Sequence, residues 1–275
     1  MEVILATKAG FCFGVKRAIK LTYEALTKKE NVYTLGPLIH NPQMVRKLEE
    51  DGVRVIDDLR DVRGGILVLR SHGVSPLVYK QAEERGLEVI DATCPRVRTV
   101  QDLASRLKED GYQLIIVGER DHPEVMSIME RVEGDAKVIG EIEEVCKIDF
   151  KRNVGVIGQT TQDLSLYKDI IGRILEEVQE IRVYNTICEE TIKHQAASLE
   201  LAKMVDVIFV VGGRDSANTK RLVSVCRKAG VGTYHIEYPE EINGIETSVR
   251  KVGVAAGTST PPWVINEVVN KLRQL

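Results

Sequence analysis

Three cysteines occur in matching surroundings: Cys12 in Gly10-Phe11-Cys12-Phe13-Gly14, Cys94 in Asp91-Ala92-Thr93-Cys94-Pro95, and Cys188 in Asn185-Thr186-Ile187-Cys188. Each follows a short apolar, β-branched run (Val3–Leu5, Val89–Ile90, Ile181–Val183) and precedes a helical pattern. Their spacing nearly repeats, 82 residues from 12 to 94 and then 94 residues from 94 to 188. Thiols at equivalent places in similar units can converge on one point. Three ligands rather than four suit an iron–sulfur cluster with one iron left open. Zinc is the rival metal, but three thiolates with no fourth ligand nearby are less typical of it. Cys146, in a charged segment, and Cys226, on an apolar helical stripe, fall outside this pattern and read as ordinary free thiols.

Other polar residues share the same address. Beyond one kind of strand-like run (Val32–Leu35, Leu114–Val117, Val207–Val211) lie His40-Asn41-Pro42, His122-Pro123-Glu124 and Ser216-Ala217-Asn218. Beyond a second kind (Ile66–Leu69, Val154–Ile157, Val252–Ala255) lie Ser71-His72-Gly73, Gln159-Thr160-Thr161 and Thr258-Ser259-Thr260-Pro261. With the cysteines, chemistry-bearing positions thus follow all of these strand ends. His40, His72 and His122, added to Ser216, Asn218 and Ser259, offer many hydrogen-bond donors among few negative charges. That composition suits a diphosphate, which accepts hydrogen bonds and draws histidine toward its protonated form. Glu124 is the one carboxylate among these positions. Proline restricts the residue before it to extended backbone, so His122 and Glu124 are expected to face the same way. Beside a bound diphosphate and a reduced cluster its ionised form is disfavoured, which suits holding and delivering a proton near neutrality. His194, inside a helical pattern with Ile192, Ala196 and Leu199, and His235, in a strand-like run, read as structural or solvated. Val211-Gly212-Gly213 completes neither a GxGxxG nor a Walker pattern, so a nucleotide site is not indicated.

The elements that must carry these residues alternate strand with helix, which argues for parallel sheets built from βα units. In such sheets ligands bind beyond the carboxyl ends of the strands. The expected architecture is α/β: three small parallel-sheet domains in a pseudo-threefold arrangement around a central cleft. The expected boundaries are 14–96, 97–190 and 191–275 plus 1–13, the N-terminal strand completing the last unit. Val15, Ala18, Ile19, Thr22 and Leu26 form a 3.6-period stripe after Cys12. Val97, Val100, Leu103, Ala104 and Leu107 form another after Cys94, stopped by Gly111. Asn41-Pro42, Ser75-Pro76 and Thr260-Pro261 read as an N-cap followed by proline at the first helical position. Asn218 or Thr219 is expected to cap the helix through Leu222 and Cys226. Helix starts of this kind favour phosphate.

Composition narrows the class further. A 275-residue chain, 43% hydrophobic, can bury a sizeable core. A net charge of −3 gives no basic footprint for nucleic acid or an anionic membrane. Five cysteines, an odd count, make a poor disulfide framework and fit a reducing compartment. With no basic leader and no run of about 18 apolar residues, the expectation is a cytoplasmic protein.

Taken together, several segments resemble the 4-hydroxy-3-methylbut-2-enyl diphosphate reductase family of the non-mevalonate isoprenoid pathway. They are Ala9-Gly10-Phe11-Cys12-Phe13-Gly14-Val15-Lys16-Arg17-Ala18, Gly36-Pro37-Leu38-Ile39-His40-Asn41, Arg70-Ser71-His72-Gly73, Asp91-Ala92-Thr93-Cys94-Pro95, His122-Pro123-Glu124 and Gln159-Thr160-Thr161. The resemblance implies a 4Fe–4S cluster, one per chain, held by Cys12, Cys94 and Cys188. It implies diphosphate binding by His40, His72, His122, Thr160, Ser216, Asn218 and Ser259, with Glu124, His122 and Thr160 in proton delivery. Where the family often has a second serine, this chain has Ala217, so one side-chain hydrogen bond to phosphate is expected to be missing. The implied partners are an allylic diphosphate and a transient one-electron donor such as ferredoxin or flavodoxin. Two other classes stay open on the residues alone: a non-redox iron–sulfur hydro-lyase, which needs no electron donor, and a cluster-based sensor, which needs no acid such as Glu124.

Overall fold

The computed structural model describes residues 1–275 except Lys29, Ile245 and Thr247. The chain opens with β1 (Glu2–Leu5) and α1 (Phe13–Leu26). A first run follows: β2 (Val32–Leu35), α2 (Pro42–Glu50), β3 (Val53–Ile56), β4 (Ile66–Leu69), α3 (Pro76–Glu84) and β5 (Glu88–Asp91). A second comprises α4 (Pro95–Glu109), β6 (Gln113–Val117), α5 (Pro123–Arg131), β7 (Ala136–Ile139), β8 (Asn153–Gly158), α6 (Leu164–Leu175) and β9 (Glu180–Val183). The last comprises α7 (Glu189–Ala202), β10 (Val207–Val211), α8 (Ala217–Lys228), β11 (Gly232–Ile236), β12 (Lys251–Ala256) and α9 (Pro262–Arg273).

These strands form three four-stranded sheets in one repeated order: β3-β2-β4-β5, β7-β6-β8-β9 and β11-β10-β12-β1. The described pairings are parallel, from Val3↔Val252 in the last sheet to Val117↔Gly158 in the second. Each sheet therefore has the α/β character expected from the alternation of elements. The two central strands carry the polar strand-end residues, and a cysteine strand lies at one edge. At the other edge is a strand with no counterpart in the expected pattern: β3, β7 or β11. Arg54, Lys137 and His235 interrupt these short apolar runs, as befits edge strands that are not buried on both sides.

By contact density the described chain divides into two units. One contains Met1–Lys16, Ile39–Leu48 and Glu189–Leu275; the other contains Arg17–Leu38 and Glu49–Cys188. In the first unit the central strand β10 is buried on both faces. Phe209 and Val211 join Val264, Ile265 and Val268 of α9, while Ile208 and Val210 join Leu201 of α7 and Leu222 of α8. Burial on both faces explains why β10 reads as a continuous apolar run rather than an alternating one. In the second unit, Val100, Ala104 and Leu107 of α4 meet Leu114 and Ile116 of β6 and Val125 and Ile128 of α5. A separate cluster gathers Leu67 and Leu69 of β4 with Ala82 and Leu87.

The helix starts refine the sequence reading. Asn41 caps α2 by accepting the Met44 N–H at 2.8 Å, and Ser75 caps α3 by accepting the Leu77 N–H at 3.2 Å. The start expected at Thr260-Pro261 lies one residue later: Pro261 is the cap and Pro262 opens α9. The Thr260 hydroxyl instead donates to the Val211 carbonyl at 2.8 Å. Neither Asn218 nor Thr219 caps α8; Ser216 does, accepting the Thr219 N–H at 3.3 Å. Among the described residues no helix is long and apolar enough to cross a membrane.

Candidate functional site

All three cysteines are anchored in the same way, by the backbone. The Cys94 N–H donates to the Ser71 carbonyl at 2.9 Å and the Cys188 N–H to the Thr160 carbonyl at 2.9 Å. The Cys12 N–H donates to the Thr258 carbonyl at 3.0 Å. In each case the acceptor lies just beyond the neighbouring central strand, in the loop that carries the polar strand-end residues. A helix begins directly after Cys12 and Cys94, so the thiols are presented at helix N-termini; all three cysteines are half-buried. Cys226, by contrast, is fully buried, and burial pushes its thiol up to about 11.

The second unit holds Cys94, Cys188, His72, His122, Glu124 and Thr160. His122 caps α5: its Nδ1 accepts the Glu124 N–H at 3.1 Å. An accepting Nδ1 carries no proton while the cap holds, so a neutral ring keeps its hydrogen on Nε2. The helix end thus claims one nitrogen of the ring. The His72 and His122 rings lie edge to face, 5.6 Å apart at an angle of 84°.

Glu124 follows in the first turn of α5 and is 1% exposed. Its carboxylate accepts the Thr160 N–H at 2.6 Å and the Thr160 hydroxyl at 2.7 Å. Burial dominates its chemistry and lifts the carboxyl to about 7, although both Thr160 bonds favour the charged form. Thr160 thus holds the acid with its N–H and hydroxyl while its carbonyl holds Cys188. Cys94 senses the same surroundings. Burial pushes its thiol up, as do the neighbouring Cys188 and Glu124, while the N–H groups of Arg96 and Val97 favour the thiolate. The loop before Cys94 is pinned by charge. Asp91 pairs with Arg98 and accepts the Tyr79 hydroxyl at 2.9 Å and the Thr93 N–H at 2.9 Å. Arg17 of α1 donates to the carbonyls of Thr93 and Asp91 at 3.2 and 3.3 Å.

The first unit holds Cys12, His40, Ser216, Asn218 and Ser259. The Ser259 hydroxyl donates to the His40 carbonyl at 3.0 Å, and Gly213 packs so closely there that a Cβ would come within 2.6 Å of that oxygen. The Asn41 side chain bonds Gln43, which in turn donates to the Glu237 carbonyl at 2.6 Å. These contacts explain why Ile39–Leu48 joins this unit although its neighbours in sequence do not. Because Ser216 takes the cap, Asn218 lies inside the first turn of α8, 2% exposed, with neither amide atom hydrogen-bonded. Ala217 beside it is also buried.

Two residues escaped the sequence reading. Ser127 accepts from Gln101 at 3.0 Å, and its single hydroxyl hydrogen is shared between the carbonyls of Glu124, at 2.8 Å, and His72, at 3.2 Å. Gly73, with φ +80°, brings its backbone so near that a Cβ would lie 2.5 Å from the Gln101 amide nitrogen. The signal was present: Gln101 interrupts the buried stripe of Val97, Val100, Ala104 and Leu107 with an amide, and Ser127 stands between Val125 and Ile128.

Known proteins match this chain along its length. A 4-hydroxy-3-methylbut-2-enyl diphosphate reductase of Geobacter sulfurreducens is 45% identical over 275 residues, covering 100% of this chain and 98% of that protein. The protein of the same name from Caldanaerobacter subterraneus is 42% identical over 281 residues, covering 100% and 98%. The solved structure of the E-1-hydroxy-2-methyl-but-2-enyl-4-diphosphate reductase from Plasmodium falciparum superposes with a TM-score of 0.93 at 28% identity, covering 98% of this chain and 87% of that one. A solved (E)-4-hydroxy-3-methyl-but-2-enyl diphosphate reductase, described as the terminal enzyme of the non-mevalonate pathway, gives 0.71 at 38% identity and covers both chains fully. The family model of the LytB protein matches residues 3–273, and with that span and these relatives the chain belongs to the LytB family.

Proposed function

We propose that this oxidoreductase converts 4-hydroxy-3-methylbut-2-enyl diphosphate to isopentenyl and dimethylallyl diphosphate. Two electrons and two protons are consumed, the allylic C–O bond breaks, one C–H bond forms, and water leaves. The observation that carries this reading is Glu124: a fully buried carboxyl lifted to about 7 and held by Thr160, whose own carbonyl holds Cys188. An acid so tuned can both hold and release a proton at neutral pH.

In this reading Cys12, Cys94 and Cys188 hold a 4Fe–4S cluster. The donor set fits: Cys94 and Cys188 are half-buried thiols within electrostatic reach of each other. Among the described residues no three His, Cys, Asp or Glu side chains form a ready site for a single metal ion. Cys12, Cys94 and Cys188 would instead supply the thiolates by which iron–sulfur clusters are held. When bound, such a cluster supplies single electrons and a Lewis-acidic iron that makes the allylic hydroxyl a better leaving group. The chain's own residues do the rest. His40, His72, His122, Ser216, Asn218 and Ser259 bind the diphosphate, with His122 donating through Nε2. Thr160 orients Glu124 and passes its proton to the departing oxygen. We also infer that residues 14–96, 97–190 and 191–275 plus 1–13 are three repeat domains. The electrons come from an external one-electron carrier such as ferredoxin or flavodoxin, in the cytoplasm.

The test is anaerobic turnover of 4-hydroxy-3-methylbut-2-enyl diphosphate by brown, cluster-loaded protein, with and without reduced viologen. Both five-carbon diphosphates are expected, and only with the reductant. Turnover without a reductant would replace the reductase by a hydro-lyase. No turnover by fully loaded protein would mean another phosphorylated substrate.

A further inference from the structure

The sequence reads His194 as structural or solvated, and the structure gives it a specific place. It is 3% exposed in α7, the helix that begins at the residue after Cys188. Its Nδ1 lies 2.8 Å from the Glu190 carbonyl oxygen one turn earlier, and its Nε2 lies 3.1 Å from the carbonyl oxygen of Gly10. A carbonyl oxygen only accepts, so the ring bonds Gly10 in its Nε2–H tautomer and Glu190 in its Nδ1–H tautomer.

Gly10 stands two residues before Cys12 in a loop with little room. Its φ is +82°, and a Cβ there would lie 2.9 Å from Ile265 Cδ1 and 3.2 Å from the Thr260 carbonyl oxygen. Downstream, the Cys12 N–H is taken by Thr258 at 3.0 Å, and the Cys12 carbonyl accepts the Lys16 N–H at 3.0 Å. The backbone thus fixes Cys12 itself, while the peptide plane between Gly10 and Phe11 is held by His194 in its Nε2–H tautomer.

We propose that His194 is a positioning residue for the Cys12 thiolate. By holding the Gly10 carbonyl it sets the direction from which the thiol is presented, and hence how firmly this corner of the cluster is retained. The inference rests on the proposed cluster ligands and adds a residue to them.

Two shorter or longer amides separate this role from general packing. In His194→Asn the amide nitrogen replaces Nδ1, so it reaches Glu190 and falls short of Gly10. In His194→Gln it replaces Nε2 and keeps the Gly10 bond. Cluster-loaded wild type and both variants are challenged anaerobically with an iron chelator, and the electron paramagnetic resonance spectrum of the reduced cluster is recorded. The Asn variant is expected to lose iron up to about tenfold faster, the effect of one hydrogen bond, with an altered spectrum. The Gln variant is expected to match wild type in both. Equal behaviour of all three proteins, or equal damage in both variants, would overturn the inference while leaving the cluster reading intact. Wild-type protein that takes up no cluster would overturn the reading and the inference together.

Discussion

The strand ends beyond β6 and β10 occupy equivalent places in the repeat and are finished in opposite ways. Beyond β6, His122 caps the helix, and the residue two positions on, Glu124, has both carboxylate oxygens bonded to Thr160. Beyond β10, Ser216 caps the helix, and the residue two positions on, Asn218, is just as buried with no bond at either amide atom. A buried polar group left unsatisfied costs about 1–3 kcal/mol. The first arm is satisfied within the chain, whereas the second leaves both amide atoms without a partner in it. One repeated backbone thus supports a buried, fully bonded carboxyl in one unit and a buried, unbonded amide in the other.

The comparison is broken most severely at the acid. Glu124→Gln keeps the shape and loses the proton, so turnover should fall on the order of a hundred- to ten-thousandfold, the usual worth of a general acid. Iron content should stay at the wild-type level; near-normal turnover would remove Glu124 from the chemistry.

The same carboxyl makes a pH prediction. Its folded value, about 7, exceeds its ordinary value of 4.5, so the folded chain holds the proton more tightly than the unfolded chain. That stabilisation is complete below the ordinary value and is lost as pH rises through about 7. Between pH 4 and 8 the loss amounts to roughly 3 kcal/mol for a fully buried group. Melting temperatures of wild type and Glu124→Gln across this range should therefore diverge, the variant escaping the decline. Parallel curves would refute it.

For the other arm, Asn218→Leu removes an unsatisfied amide and keeps the branching at Cγ. Stability should hold or rise, because no hydrogen bond is lost, whereas kcat/KM should fall about ten- to a hundredfold as bonds to a charged ligand disappear. A loss of stability would show that Asn218 is satisfied in the free protein. The smallest effect is expected at Ser127→Ala, which frees the carbonyls of His72 and Glu124 from one hydroxyl. A rise in KM of only a few-fold, about 1 kcal/mol, should be visible in steady-state kinetics.

Much of the fold is legible in the sequence. Nine apolar runs followed by a polar or sulfur residue mark nine of the twelve described strands: the six central ones by burial on both faces, and the cysteine edge strands by the thiol that follows them. The opposite edge strands, such as β3 with Arg54 at its second position, carry neither signal. Asn41 and Ser75 were readable as caps because an acceptor precedes a proline. At α8 three acceptor-type residues compete for one cap, and Ser216 prevailed over Asn218 and Thr219. Gln101, Ser127 and His194 were harder to read. Each belongs to a helix by its local pattern, and its partner (Gly73, His72 or Gly10) lies far away in sequence, where periodicity carries no information.

The N–H bonds from Cys12, Cys94 and Cys188 to the carbonyls of Thr258, Ser71 and Thr160 use no side chain at either end. Every amino acid brings a carbonyl, so the identities at 71, 160 and 258 are at liberty to drift without loosening the thiols. A lineage, or a designer, can therefore re-tailor what these loops grasp while the sulfur-bearing scaffold is inherited unchanged. Three copies of one frame need not remain three copies of one tool.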